Sequence, residues 1–182
     1  MQVLRVEPTP NPHAIKFVLD RSLAPGTSQE FNSPAEAQKD DLAKQLFEVP
    51  GITSLFYNDN YVTVTMNSDA DWHEVYRQAQ EKIGAYEGDG EAVEDGVAAP
   101  ATGEIEDSEE FARVQAVLQQ RVMPALSADG GGLQIMGFKD KTLTIRYQGA
   151  CGSCPSAISG TLMAIENLLR AEVDPDISVR SA

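Results

Sequence analysis

Residues 87–107, "EGDGEAVEDGVAAPATGEIED", constrain what the rest of the chain can fold into. This stretch has no aromatic residue, four glycines, a proline and no apolar period. Such a composition cannot bury enough apolar surface to offset the entropy lost on ordering. It predicts a mobile linker, so the 182-residue chain cannot close around one core. Three parts follow: a first domain over 1–86, an acidic flexible linker over 87–106, and a second domain over 107–182. Twenty flexible residues span roughly 25 Å root-mean-square, and charge repulsion extends them further.

Charge follows the same division. Seven Lys and Arg against twelve Asp and Glu leave −5 in residues 1–86, and seven acids with no basic residue give −7 in 87–106. Seven against nine leave −2 in 107–182, so half of the net −14 sits in the linker. The acidity therefore says little about either domain's binding face. It does oppose nonspecific attachment to nucleic acid or to an anionic membrane, both of which need basic surface. No apolar run approaches the ~20 residues that span a bilayer. The opening "MQVLRVEPTP" is charged and carries prolines, unlike a secretory signal, and lacks the Arg-rich bias of a transit peptide. The expectation is a cytoplasmic protein with no nucleic-acid or membrane partner.

Hydrophobic periodicity predicts an α+β protein of two small α/β-sandwich-like domains, ββαββα and αββαβ. In the first, "VLRVE" (3–7) and "AIKFVL" (14–19) read as strands. Ser33-Pro34-Ala35-Glu36 reads as a capping box ahead of a helix bearing Leu42, Leu46 and Phe47, which "VPG" stops. "ITSLFY" and "YVTVTM" form a hairpin about Asn58-Asp59-Asn60. Trp72, Val75, Tyr76, Ala79 and Ile83 keep helical spacing after a cap at Ser68 or Asp69, and Trp72 and Tyr76 are expected in the core. The prolines of "PTPNP" are expected to hold an extended edge, with His13 a surface turn residue.

The second domain opens on a helix bearing Phe111, Val114, Val117, Leu118 and Val122, ended by Pro124 and then Asp129-Gly130-Gly131-Gly132. "LQIMGF" and "TLTIRY" flank Lys139-Asp140-Lys141 as a hairpin. A helix from about Pro155 buries Ile158, Leu162, Ile165 and Leu169, and "ISV" adds a short strand.

Between that hairpin and that helix lies "GACGSCPSA" (149–157), which holds the chain's two cysteines, Cys151 and Cys154. Pro155 suits the first helical position, which makes Cys154 the N-cap, where backbone N–H groups and the helix dipole favour a thiolate. The small residues around the sulfurs leave the loop open to a partner. Two incidental thiols are the bland alternative. A C-x-x-C at a strand–helix junction also suits a disulfide oxidoreductase, but fewer than thirty residues follow it. Structural zinc and an iron–sulfur cluster both want four ligands. The two histidines, His13 and His73, belong to the other domain. A metal site of either kind is thus half-built in one chain, and a twofold mate presenting its own Cys151 and Cys154 would complete it.

The second domain resembles the NifU-like (Nfu) C-terminal domain in Pro124-Ala125-Leu126, Asp129-Gly130-Gly131, "GACGSCPSA" and Thr161-Leu162. The first resembles the Nfu N-terminal domain in "TPNPHAIKF", "SPAEA", "LFEVPGITSLFYNDNYVTVT" and Trp72, in the family's order. The resemblance implies a non-enzymatic iron–sulfur scaffold or carrier. It would hold a cluster, usually 4Fe–4S with 2Fe–2S as the variant, between the subunits of a homodimer. It would accept that cluster from an upstream donor and pass it to apo-proteins. The resemblance gives Cys151 and Cys154 the role of cluster and metal ligands, and the first domain a part in recognising recipients. Gly132 stands where members often carry an acidic residue, and Asp129 matches as the residue of a helix-ending turn.

Overall fold

A computed structural model describes residues 1–87, 108–152 and 155–182, with the side chains of 155–159 outside the description. The chain divides into two units, Met1–Val97 and Ala98–Ala182. Residues 88–107, which carry almost all of the expected linker, lie outside the described residues. Among the described residues no helix is long and apolar enough to cross a membrane.

In the first unit, β1 (Val3–Pro8), β2 (Ala14–Leu19), β3 (Ala24–Phe31), β4 (Ile52–Asp59) and β5 (Tyr61–Met66) form one antiparallel sheet in the order β1-β2-β5-β4-β3. Helices α1 (Asp41–Phe47) and α2 (Trp72–Ala85) supply the core partners. The period of two along β2 explains the packing. Ile15, Phe17 and Leu19 join Leu42 and Leu46 of α1 and Val75, Ala79 and Ile83 of α2 in one cluster. Val18 belongs instead to a second cluster with Phe56 and Tyr61. Lys16 is buried among these strands, paired with Glu7 at 3.0 Å and lying 4.5 Å over the Tyr61 ring.

Four expectations for this unit change. The polar strand β3 was not expected; it pairs only with β4 and slips register between Ala24 and Ser28, where Gly26 has φ +70°. An edge strand with one neighbour needs no apolar alternation. The capping contacts at Ser33–Glu36 do form: the Glu36 N–H donates to Ser33 Oγ at 3.4 Å, and Glu36 accepts from the Asn32 N–H at 2.8 Å. They introduce only a 3-10 turn, Glu36–Lys39, and α1 starts at Asp41 behind its own cap, Asp40. Similarly, α2 is capped by Asp71, which accepts from the N–H groups of His73 and Glu74, rather than by Ser68 or Asp69. Trp72 is 45% exposed, so it lies outside the core; it stacks on Tyr76 with centroids 5.5 Å apart.

The second unit begins with α3 (Glu109–Val117), capped by Ser108, whose hydroxyl accepts from the Phe111 N–H at 3.1 Å. The chain does not stop at Pro124. A π-helical turn over Leu118–Val122 leads directly into α4 (Met123–Ala128), so Pro124, with no N–H to give, stands where the π turn hands over to the α-helix. Phe111, Val114, Leu118, Val122 and Leu126 thereby all stay buried. Strands β6 (Gly131–Lys139) and β7 (Thr142–Gly149) form the expected hairpin, with positive φ at Asp140 and Lys141. Helix α5 (Pro155–Glu172) buries Ile165 and Leu169, and β8 (Ser178–Ser181) returns parallel to β7. The expected burial of Ile158 falls on a side chain outside the description. Strand order β6-β7-β8 makes β7 central, and the cysteine loop leaves its carboxyl end at the start of a βαβ crossover.

Candidate metal centre

In open α/β sheets, ligands are held beyond the carboxyl ends of strands, where loops meet helix N-termini. The loop after β7 occupies that position. Its first turn is built by backbone chemistry: Gly149 has φ +63°, and the Gly152 N–H donates to the Gly149 carbonyl at 3.1 Å. The Ala150 N–H donates to the carbonyl of Gly130, which has φ +76°, at 3.3 Å. Glycine is needed at both positions for its left-handed backbone.

Cys151 is half-buried, is not in a disulfide, and packs its sulfur side against the apolar cluster of this unit. The seat for the sulfur is Gly131, which pairs with Gly149 across the hairpin. A Cβ built on Gly131 would stand 2.6 Å from Cys151 Sγ and 2.8 Å from the Gln148 carbonyl oxygen. The absent side chain is the space that the sulfur uses. Gly152 is also tight, since its Cβ would meet the Tyr147 carbonyl oxygen at 3.0 Å.

Cys154, the other expected ligand, lies outside the described residues; α5 starts immediately after it at Pro155, as the proline predicted. Asp129 is the C-cap residue of α4, its N–H donating to the Ala125 carbonyl, as expected of a helix-ending turn. Gly132 is buried in β6 opposite Gln148. His13 and His73 are exposed residues of the first unit, His13 in the turn before β2. Among the described residues no three His, Cys, Asp or Glu side chains gather as a metal site.

Sequence reasoning missed two residues beside Cys151. Gly131 is one. The other is Tyr147, buried at 6% exposure. Burial, and then the charge of a nearby Cys151 thiolate, push its phenol up to about 12, so it keeps its proton throughout the neutral range. In the first unit, Val6, Pro8, Pro12, Ile15, Trp72 and Tyr76 help line an open groove of about 420 Å³.

A C-x-x-C pair at a strand–loop–helix junction of a small αββαβ unit, which follows an antiparallel α/β domain in the chain, defines a two-domain protein carrying half of a thiolate site. Residues 4–89 match the family described as "Scaffold protein Nfu/NifU N terminal", and residues 114–180 match "NifU-like domain". With both domains matched in that order, the chain belongs to the Nfu/NifU family. It is 31% identical over 169 residues to the human protein named "NFU1 iron-sulfur cluster scaffold homolog, mitochondrial", covering 92% of this chain and 66% of that one. The protein of the same name in Drosophila ananassae is 28% identical over 170 residues, covering 92% and 59%. The chain thus spans about three-fifths to two-thirds of the length of these relatives. A Staphylococcus aureus protein solved by X-ray crystallography aligns at TM-score 0.42 and 23% identity, over 46% of this chain and 99% of that one.

Proposed function

We propose that two copies of this chain hold one 4Fe–4S cluster between their cysteine loops, through Cys151 and Cys154 of each, and pass it to apo-proteins. The observation that carries this reading is the seat of Cys151: a half-buried sulfur at the carboxyl end of the central strand, made room for by the missing side chain of Gly131. Iron–sulfur clusters take four thiolates, and one chain has two cysteines. The scaffold names borne by the relatives support the same role.

Transfer needs no catalysed covalent step. A recipient offers its own thiolates, which replace the carrier's one at a time, and the exposed Gly152 beside Cys151 carries no side chain to bar their approach. Splitting the ligands between two chains also eases release, because separating the dimer removes half of the coordination. The exchange belongs in the cytoplasm, where reducing conditions keep the thiols available.

The test is anaerobic reconstitution with iron and sulfide, read by iron and sulfide content, visible charge-transfer absorption and oligomer mass. The expected product is a dimer carrying one cluster, lost in Cys151→Ala and in Cys154→Ala. A monomer without chromophore, or a Cys151→Ala chain that keeps its cluster, overturns the reading. A metal-free dithiol that turns over a disulfide substrate, or bound zinc whose removal unfolds the domain, would replace it with another.

A further inference from the structure

Helix α5 leaves the cysteine loop directly and packs Ile165 and Leu169 into the core of its unit. Its opposite side is exposed at Gly160, Met163, Ala164, Asn167 and Ala171, which recur at the spacing of a single helical face. None of the five carries a charge. A helix at a protein surface ordinarily turns charged residues to water. Helix α2 does so, with Arg77 paired to Glu74 at 2.7 Å and to Glu81 at 3.3 Å. On α5 the ion pair Glu166–Arg170 stands to one side of the uncharged stripe. Met163 is 68% exposed, more than any other large apolar side chain among the described residues. Gly160 is a second anomaly. A glycine inside a helix costs stability, yet a Cβ at Gly160 would meet nothing within 4 Å. Nothing among the described residues calls for a glycine there, whereas a surface arriving from outside does, because a missing side chain permits close approach.

We propose that this α5 stripe is the face on which a second copy of the chain packs, holding the two half-sites in register. The inference rests on the reading of Cys151 and Cys154 as ligands of a shared cluster, and it adds the surface that aligns them. Charge selects the partner. A twofold interface sets each patch against the same patch on its mate, so any charge within it meets its like. In a chain of net charge −14, an uncharged face is the surface on which two copies can close. Position agrees with charge. Gly160 lies six residues beyond Cys154, about 9 Å along a helix, so two cysteine loops joined on one cluster bring the first turns of both α5 helices together. Met163 supplies the apolar anchor of the contact, and Gly160 the room for the two helices to approach.

The experiment reconstitutes the full chain, Met163→Glu and Met163→Lys anaerobically with iron and sulfide, and measures dimer dissociation by sedimentation equilibrium at low salt. Ala116→Glu, exposed on α3, controls for the change in net charge. Thermal melts of the apo chains should coincide, because Met163 lies outside the core. The dissociation constant of the cluster-bearing dimer should rise roughly tenfold or more in Met163→Glu and in Met163→Lys, and stay unchanged in Ala116→Glu. An equimolar mixture of the two Met163 variants should dimerise more tightly than either alone, since the mixed interface sets opposite charges together. A Met163→Glu chain that dimerises as tightly as the parent overturns the proposal, and so does a mixture no tighter than its components. If the parent chain takes up no cluster, the cluster reading fails by itself, and the stripe is tested in chains carrying Cys151→Ser and Cys154→Ser. There Met163→Cys should form an interchain disulfide under diamide several-fold faster than Ala116→Cys, and equal rates overturn the contact between copies.

Discussion

At the scale of single residues, Gly131 carries the sharpest consequence. Gly130 and Gly149 are glycines for conformational reasons, with φ of +76° and +63°. Gly131 is a glycine for steric ones, because a Cβ would stand 2.6 Å from Cys151 Sγ and 2.8 Å from the Gln148 carbonyl oxygen. The carbonyl belongs to the strand paired with Gly131 and cannot yield, so the sulfur must. Gly131→Ala should cost about 1–3 kcal/mol of stability, as overpacking does, and should cut cluster content while the domain still folds. Denaturant unfolding and iron content on one sample measure both. Full cluster occupancy in Gly131→Ala would mean that the sulfur does not need this seat. The two cysteines were legible from spacing and a following proline. Gly131 was not, because three successive glycines look alike until the hairpin register shows which one faces the thiol. Tyr147 reads in sequence as one more alternating strand residue, and only the turn at Gly149 brings Gly152 back against its carbonyl.

At the scale of elements, the misread helix starts show where local sequence is ambiguous. Asp40 and Asp71 cap α1 and α2, yet each stands among other acceptors able to cap. Tertiary packing selects between them: Asp40 accepts from the Ala43 N–H at 2.6 Å and lies 3.5 Å from the hydroxyl of the buried Tyr57. That choice has an electrostatic consequence. Burial raises the Asp40 carboxyl above its ordinary value, outweighing the hydrogen bond from the Ala43 N–H. A folded-state value above the unfolded one means that Asp40's contribution to stability is full below the unfolded value. It is lost as pH rises through the folded value. Asparagine caps as well as aspartate and carries no charge to desolvate. The stability of Asp40→Asn relative to the parent should therefore increase from about pH 4 to neutrality, in urea titrations of the first unit's unfolding. A constant difference across that range would show that Asp40 is not strained by burial. The strands with apolar alternation, the two hairpins and helix α5 were legible for the same reason, since each buries a repeating face; that β8 returns parallel to β7 was not. Strand β3 and the π-helical passage before Pro124 were not, since one is a polar edge and the other is an adjustment forced by keeping both Leu118 and Leu126 buried.

At the scale of the whole molecule, the composition of residues 87–106 carries the sequence's expectation of how the two domains work together. Its seven acids and lack of any basic residue predict a tether. On that reading the first domain, with its aromatic groove at Trp72 and Tyr76, retains a recipient while the cysteine loop reaches it. The cluster then meets its target at an effective concentration set by tether length. Twenty residues reach roughly 25 Å, whereas five reach only about 12 Å, less than the ~25 Å breadth of a domain of this size. A chain whose residues 87–106 are cut to five should reconstitute to the same iron content, because the proposed ligands, Cys151 and Cys154, both belong to the second domain. Its transfer to a recipient that binds the first domain should slow by an order of magnitude or more, as the second binding event loses its local concentration. Transfer to a small thiol, which needs no docking, should keep its rate. Equal slowing toward both acceptors would place the defect in the cluster site, and no slowing toward either would remove the tether from the mechanism.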